Sequence, residues 1–408
     1  MEEGPELAPE KRCSWREALL AADEIVRYDA VLASFGAAQP ELLAELPQLA
    51  ASERNQLLEA LWQQVDVLLL EGRDKARPIF ALACAQAEDP VLREHWARLA
   101  GFYRPASPGA PFDPAEVSRF LAASPEPYRR ALARALLFHP VAEVRALARA
   151  ATSAADCWQV LVSRQSSPRV LYETWQNLRG QVSDDLFKIV LTALAERLLV
   201  QLPREQLNQA ARFVFAFFEV DAFHERGYLQ LVGRIEKHLR EQAAGHGIDL
   251  LQDAEYRQRL QTFAAAPGVA EQPIQAWSQV PLPVQRELAR RGHFLRHFCC
   301  HQVDAVAVEV FPQLLRRDDI VEFLKILTIN PRLLAQLAEE KQLFESDAAK
   351  FFLLANPRCP FHIIGKYMGY LTSESLTKLA QGYLYNNFAR KQAERLLEQR
   401  GKARKPPR

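Results

Sequence analysis

Glycine is scarce in this chain, 16 of 408 residues, and no Asn-Gly pair occurs. Strand-rich folds depend on glycine turns and on Asn-Gly hairpins, so their shortage argues against an extensive sheet. Long apolar runs are also missing. The most apolar one, at 213–220, is interrupted by Glu219 and followed by Asp221, well short of the roughly 18 residues a membrane-spanning helix needs. The N-terminal segment MEEGPELAPEKRCSW is acidic and polar, without the basic start and apolar core of a secretory signal. Six cysteines stand at positions 13, 84, 157, 299, 300 and 359 with no Cys-x-x-Cys pair. That usage suits a reducing, cytoplasmic compartment with thiols as small apolar groups. The phosphate-loop, dinucleotide, serine-elbow and His-Glu-x-x-His patterns are absent. No reaction class and no cofactor is therefore indicated, and the expectation is a non-enzymatic protein.

Apolar residues make up 49% and charged residues 25% of the chain, the balance of a folded globular protein. The net charge is +1, yet residues 1–100 hold 10 Lys+Arg against 18 Asp+Glu, and the remainder 41 against 32. Good helix formers dominate, and apolar residues recur at helical spacing: Leu57, Leu61, Val65 and Leu69 share one face,. Proline returns at short intervals, as at Pro40, Pro90, Pro125, Pro168, Pro203 and Pro331. Its missing N–H is harmless in a helix's first turn, so each proline reads as a start signal. The expectation is an all-α chain of roughly 18–20 helices joined by short loops.

Four prolines in the stretch RPASPGAPFDP (104–114) mark a linker,. The expected divisions are an acidic helical domain at 1–103, the linker at 104–114, a helical region at 115–245, a second at 246–399 and a basic, disordered tail at 400–408. Many short helices without sheets favour stacked hairpins, each covering its neighbour's apolar face.

Weak repeats support that arrangement. The segment PVAEVRALARAA (140–151) spaces Val144, Arg145, Ala148 and Ala151 in a way that resembles the second helix of a HEAT-type repeat. The boxes LTINPRLL (327–334) and LLANPRCPFHII (353–364) resemble the leucine-rich repeat variant, another α-solenoid family, and LLFHPVAEV (136–144) is a looser copy with His139 in place of Asn. In such a box the Asn bonds the backbone that follows it and Pro sets the next helix. The resemblance covers about 135–180 and 320–390. It implies an α-solenoid that serves as a recognition scaffold, with no chemistry attached.

The stretch GHFLRHFCCHQ (292–302) brings together His293, His297, His301, Cys299 and Cys300, the side chains that hold transition metals,. Taken as a helix over 293–301, it puts the three histidines and Cys300 on one arc of roughly 100°, beside a packed face of Phe294, Leu295, Phe298 and Cys299. Each i,i+4 step rises about 6 Å, so His293 and His301 cannot share one ion. At most His297 and His301 remain as a metal pair, and a third ligand is lacking. The expectation is therefore no metal site and a polar histidine rim. Acidic pairs at 184–185 and 318–319 read as helix caps.

Basic residues are the other lead. Arg129, Arg130, Arg134, Arg145 and Arg149 lie on neighbouring helices, and Arg390, Lys391, Lys402, Arg404 and Lys405 enrich the C-terminal end, where residues 386–408 hold 8 basic side chains against 2 acidic. Aligned along a solenoid, they could follow a phosphate backbone or join inter-repeat ladders. The leading expectation is a cytoplasmic scaffold or adaptor for a protein partner, with nucleic acid as the alternative and no membrane association.

Overall fold

The computed structural model describes residues 14–35, 39–70, 73–103, 113–152, 202–216, 225–269, 273–382 and 386–403, with scattered positions between 183 and 198. The chain is all-α. Among the described residues there is no strand, and the one extended pairing is an isolated bridge between Glu225 and Val269. No helix among them is long and apolar enough to cross a membrane.

Helix starts follow the local chemistry. Asp89 accepts the Leu92 N–H with Pro90 in the first turn, and Asp113 accepts the Ala115 N–H ahead of Pro114. Ser14 and Glu17 form a reciprocal capping box. Each arrangement satisfies amide donors that the helix itself cannot. The acidic pairs at 184–185 and 318–319 behave otherwise. Asp319 makes no capping bond and pairs with Arg317, while Asp185 accepts the Gln275 N–H; residue 184 lies outside the described residues.

The chain divides into two compact units, Met1–Pro283 and Val284–Arg408. In the first, one buried cluster runs from Leu19 to Ala148. Trp62 lies edge-on to Trp96 at 5.0 Å, and Phe80 sits 5.7 Å from Trp96. The cluster includes Val117, Leu132 and Leu136, so the helices on either side of the Pro-rich stretch share a single core. The expected boundary at 104–114 thus separates no cores; residues 104–112 lie outside the described ones, and 113–114 already belong to a helix start. Apolar complementarity between the helix faces decides this, and chain composition at the connection does not.

Later in the first unit, helix Arg226–Gly245 closes with Gly247 at φ +70°. Gly247 N–H bonds Ala244 O and Ile248 N–H bonds Ala243 O, the paired bonds of a Schellman stop. The second unit begins within helix Leu282–Arg290. There follow short helices, among them Ile320–Leu324, Pro331–Leu337, Asp347–Ala355, Phe361–Tyr367 and Ser373–Ala380, then the long Asn387–Ala403. That last helix carries Arg400, Gly401, Lys402 and Ala403, four residues of the stretch expected to be a disordered tail, and Arg400 anchors it by donating to Leu371 O and Gly369 O.

Candidate functional site

The two Asn-Pro boxes become a ladder of buried hydrogen bonds in the second unit. Asn330 Oδ1 accepts the N–H of Arg332 and of Leu333, capping helix Pro331–Leu337. Its Nδ2 reaches back to His301 O and Asp304 Oδ1, and its own N–H bonds Cys299 O at 2.7 Å. Asn356 repeats the device. Its Oδ1 accepts Arg358 N–H, and its Nδ2 donates to Leu324 O and Ile326 O at 2.8 and 2.9 Å. A third rung, Asn386, donates to Leu354 O and Asn356 O and accepts the Ala389 N–H. The offsets match: Asn356 and Asn386 both reach residues 32 and 30 positions earlier. Each amide therefore accepts from the backbone that follows it and donates to an earlier segment; Asn330 and Asn386 cap the helices they precede, and Asn356 and Asn386 also close the carbonyl ends of Ile320–Leu324 and Asp347–Ala355. An asparagine suits the task because one short side chain carries both an acceptor and a donor.

Two histidines take rung positions. His139 Nδ1 accepts the Val141 N–H, and its Nε2 donates to Phe102 O at 2.7 Å, the end of helix Pro90–Phe102. The looser box at 136–144 thus keeps the asparagine pattern with an imidazole in the Nε2–H tautomer. His301 Nδ1 likewise accepts the Val303 N–H, and its Nε2 meets Gln285 Oε1 at 3.1 Å. Burial holds His301 below the ordinary histidine range,. Both of its ring nitrogens are engaged within the fold, which withdraws it from ligand duty.

The surrounding His–Cys stretch is not the continuous helix expected over 293–301. Gly292 at φ +84° ends helix Leu282–Arg290 through another Schellman pair, Gly292 N–H to Ala289 O and His293 N–H to Leu288 O,. Phe294 then adopts φ +47°, and only Leu295–Phe298 is helical. The left-handed stop at Gly292 wins over the apolar periodicity that follows it. Leu295, Phe298 and Cys299 are buried, while Phe294 is half-buried. The rings of His297 and His301 stand 6.0 Å apart. Among the described residues no three His, Cys, Asp or Glu side chains gather as a metal site. Cys359 is buried and its neighbour His362 exposed, so that pair adds no ligand set. Burial, with His301 beside it, brings His297 down to about 4, and burial pushes the Cys359 thiol up to about 12.

The cysteine pair has the sharper electrostatics. Cys299 Sγ is 3.7 Å from Cys300 Sγ, and Thr328 Oγ1 donates to Cys300 Sγ at 3.3 Å. Cys299 Sγ also donates to Arg296 O at 3.3 Å. Its contact with Cys300 lowers Cys300 below the ordinary cysteine range; burial opposes this, and Thr328 and the positive Arg358 assist. Cys299 shifts the opposite way, through that same contact and through burial.

The predicted arginine stripe comes apart. Arg134 is turned inward: its Nε bonds Asp66 Oδ2 at 3.1 Å and a terminal nitrogen bonds Gln63 O. Asp66 is fully buried and its second oxygen has no hydrogen-bond partner among the described residues. Its carboxyl is accordingly pushed up by burial, against the lowering effect of Arg134. Arg145 staples the rung turn through His139 O and Pro140 O. Arg129 pairs with Glu126, Arg130 is exposed and Arg149 half-buried. At the other end, Arg390 lies near Glu394 and Lys391 is exposed; Lys402 is helical, and Arg404 and Lys405 lie outside the described residues. The two basic groups fall in different units.

Two cations escaped the sequence reasoning. Arg332 and Arg358 hold the same place, two residues after successive rungs. Both are exposed, and neither pairs with an acidic side chain among the described residues. The signal was the repeated Asn-Pro-Arg, read above for its turn alone. Exposed aromatics accompany them on the second unit. Phe361 is 67% and Tyr370 68% exposed, Leu327 is exposed as well, and Phe361 lies tilted against Phe388 with ring centroids 4.7 Å apart. No family model, curated protein or solved structure matches the chain.

Proposed function

We propose that this protein is a non-enzymatic, cytoplasmic helical-repeat scaffold that binds a protein partner, its second unit being a short α-solenoid of stacked hairpins. The observation that carries the reading is the ladder itself. Asn330, Asn356 and Asn386 each tie one turn to an earlier one at nearly constant offset, as expected of stacked repeats of one unit. Such a stack has its hydrogen bonds turned inward and presents side chains outward. Phe361, Tyr370 and Leu327 are the large apolar groups it leaves in solvent, and exposed aromatics of this kind favour a partner surface. The likeness to the leucine-rich repeat variant at 327–334 and 353–364 supports the same assignment, as does the HEAT-like spacing at 140–151.

A nucleic-acid partner is the second reading. It loses Arg134 and Arg145 to interior bonds, and it keeps Arg332 and Arg358, which recur with the rungs. The test uses the full chain and the double variant Phe361→Ala/Tyr370→Ala, matched by circular dichroism. A protein captured from the native host by the wild type and lost by the variant is the expected result. Tight binding of a fluorescent duplex or single strand that weakens steeply with added salt would overturn the reading in favour of the alternative. Turnover in a broad activity screen would overturn both.

A further inference from the structure

We propose, on the scaffold reading above, that the partner docks as an extended acidic peptide along the turns of Asn330 and Asn356, its carboxylates on Arg332 and Arg358 and its apolar side chains on Leu327 and Phe361. Two consecutive turns of the ladder present the same pair of groups, one cation and one large apolar side chain. The turn of Asn330 carries Leu327 and Arg332, and the turn of Asn356 carries Arg358 and Phe361; all four are exposed. The arginines hold equivalent places, because the N–H of each is fixed on the Oδ1 of its rung, at 2.7 and 2.9 Å. Their backbone is anchored in the fold while their side chains are left to solvent. Asn356 Nδ2 donates to Leu324 O and Ile326 O, so its turn lies against the segment that leads into Leu327.

Charge selects the occupant. Basic side chains on neighbouring segments carry acidic neighbours: Arg317 has Asp319, Lys325 has Glu322 and Lys350 has Asp347. Arg332 and Arg358 have none among the described residues. A carboxylate on a partner completes the pairing that the fold makes for itself elsewhere, and a guanidinium can grip it with two parallel N–H donors. The apolar neighbours add contact area and keep water from each pair. The cation row is short. At the third turn the place two residues after Asn386 belongs to Phe388, half-buried with Phe361 against it. Two cations followed by an aromatic pair suit a peptide with a few carboxylates and an apolar end. A nucleic-acid strand asks for a longer run of cations and for rings on which its bases stack, and Leu327 offers none.

The test measures fluorescence anisotropy with the full chain and three labelled probes: a peptide that repeats Glu-Glu-Leu and ends in Phe, the same peptide with Lys for every Glu, and single-stranded DNA of matched charge. The acidic peptide is expected to bind, the basic one not to, and the DNA to bind more weakly than the acidic peptide. Arg332→Glu/Arg358→Glu should weaken the acidic peptide about tenfold, and Arg332→Gln/Arg358→Gln about threefold, since exposed pairs are individually modest. Both effects should shrink as salt is raised, whereas the several-fold loss expected of Phe361→Ala should persist. Circular dichroism matches each variant to the wild type; should the charge reversal disturb the fold, the Gln pair decides. No binding of the acidic peptide, binding indifferent to the arginine variants, or tighter binding of the DNA overturns the docking. The scaffold reading is separable from it. A host protein held by the wild type and equally by Arg332→Gln/Arg358→Gln, but lost by Phe361→Ala/Tyr370→Ala, keeps the scaffold and overturns the acidic docking.

Discussion

Replacing Asn356 by Asp exchanges one amide nitrogen for oxygen inside a site with no solvent exposure. The acceptor that caps the Arg358 N–H survives, but the donor to Leu324 O and Ile326 O is gone, leaving oxygens facing each other at 2.8 and 2.9 Å. Asn356→Ala is the gentler reference. It removes three hydrogen bonds at about 1 kcal/mol each, roughly 3 kcal/mol in all. Asp should cost more at neutral pH, about 4–5 kcal/mol, because a buried carboxylate lacks compensation. The two variants also differ in sign with pH. A carboxyl whose folded form holds its proton more tightly than the unfolded form gains stability as pH falls, since the protonated acid can again donate to Leu324 O. Asn356→Asp should therefore recover about 2 kcal/mol between pH 7 and pH 5, and Asn356→Ala nothing. All six tryptophans precede Val284, so indole fluorescence is blind to this unit. Amide hydrogen exchange of peptides covering residues 320–360 is the appropriate assay. An Asp variant within 1 kcal/mol or so of the wild type at pH 7, or one indifferent to acid, would refute the account of the rung.

Arg134→Ala leaves Asp66 buried without its cation and should destabilise the first unit by about 3–5 kcal/mol at pH 7, with part regained toward pH 5 as Asp66 protonates; urea titration followed by tryptophan fluorescence checks this. His139→Ala should cost about 2 kcal/mol by releasing Val141 N–H and Phe102 O, and His139→Asn should return about half, because its shorter side chain keeps only the Val141 bond. His297 is held neutral in the fold, so it binds fewer protons there than when unfolded. Stability tied to it is complete above pH 6.5 and declines as pH falls toward 4, by about 1–2 kcal/mol after solvent screening,. His297→Leu should flatten that part of the pH–stability curve.

Helix identity was legible in the residues because its causes are local. Apolar spacing, prolines in first turns and capping side chains all act within about four positions. Residues 327–334 and 353–364 could be marked as turns for the same reason, since Asn bonds the backbone two residues ahead of it. A purely local reading misjudged the stretch at 292–302, where apolar periodicity and a glycine stop compete and the stop prevails.

What only the tertiary structure decided lies at long sequence separation. The donor side of each asparagine rung reaches oxygens some 30 residues back, so Asn386, without a following proline, was invisible as a rung, as was the bond of His301 to Gln285, 16 positions away. Arg134 could not be assigned to Asp66, 68 positions away, nor Cys300 to Thr328, 28 positions away. The proline-rich stretch at 104–114 looked like a domain boundary, yet the helices beside it share a core. In every case the registry of one helix against another sets the contact. That registry comes from packing apolar faces and satisfying buried polar groups together, a condition no short window of sequence contains.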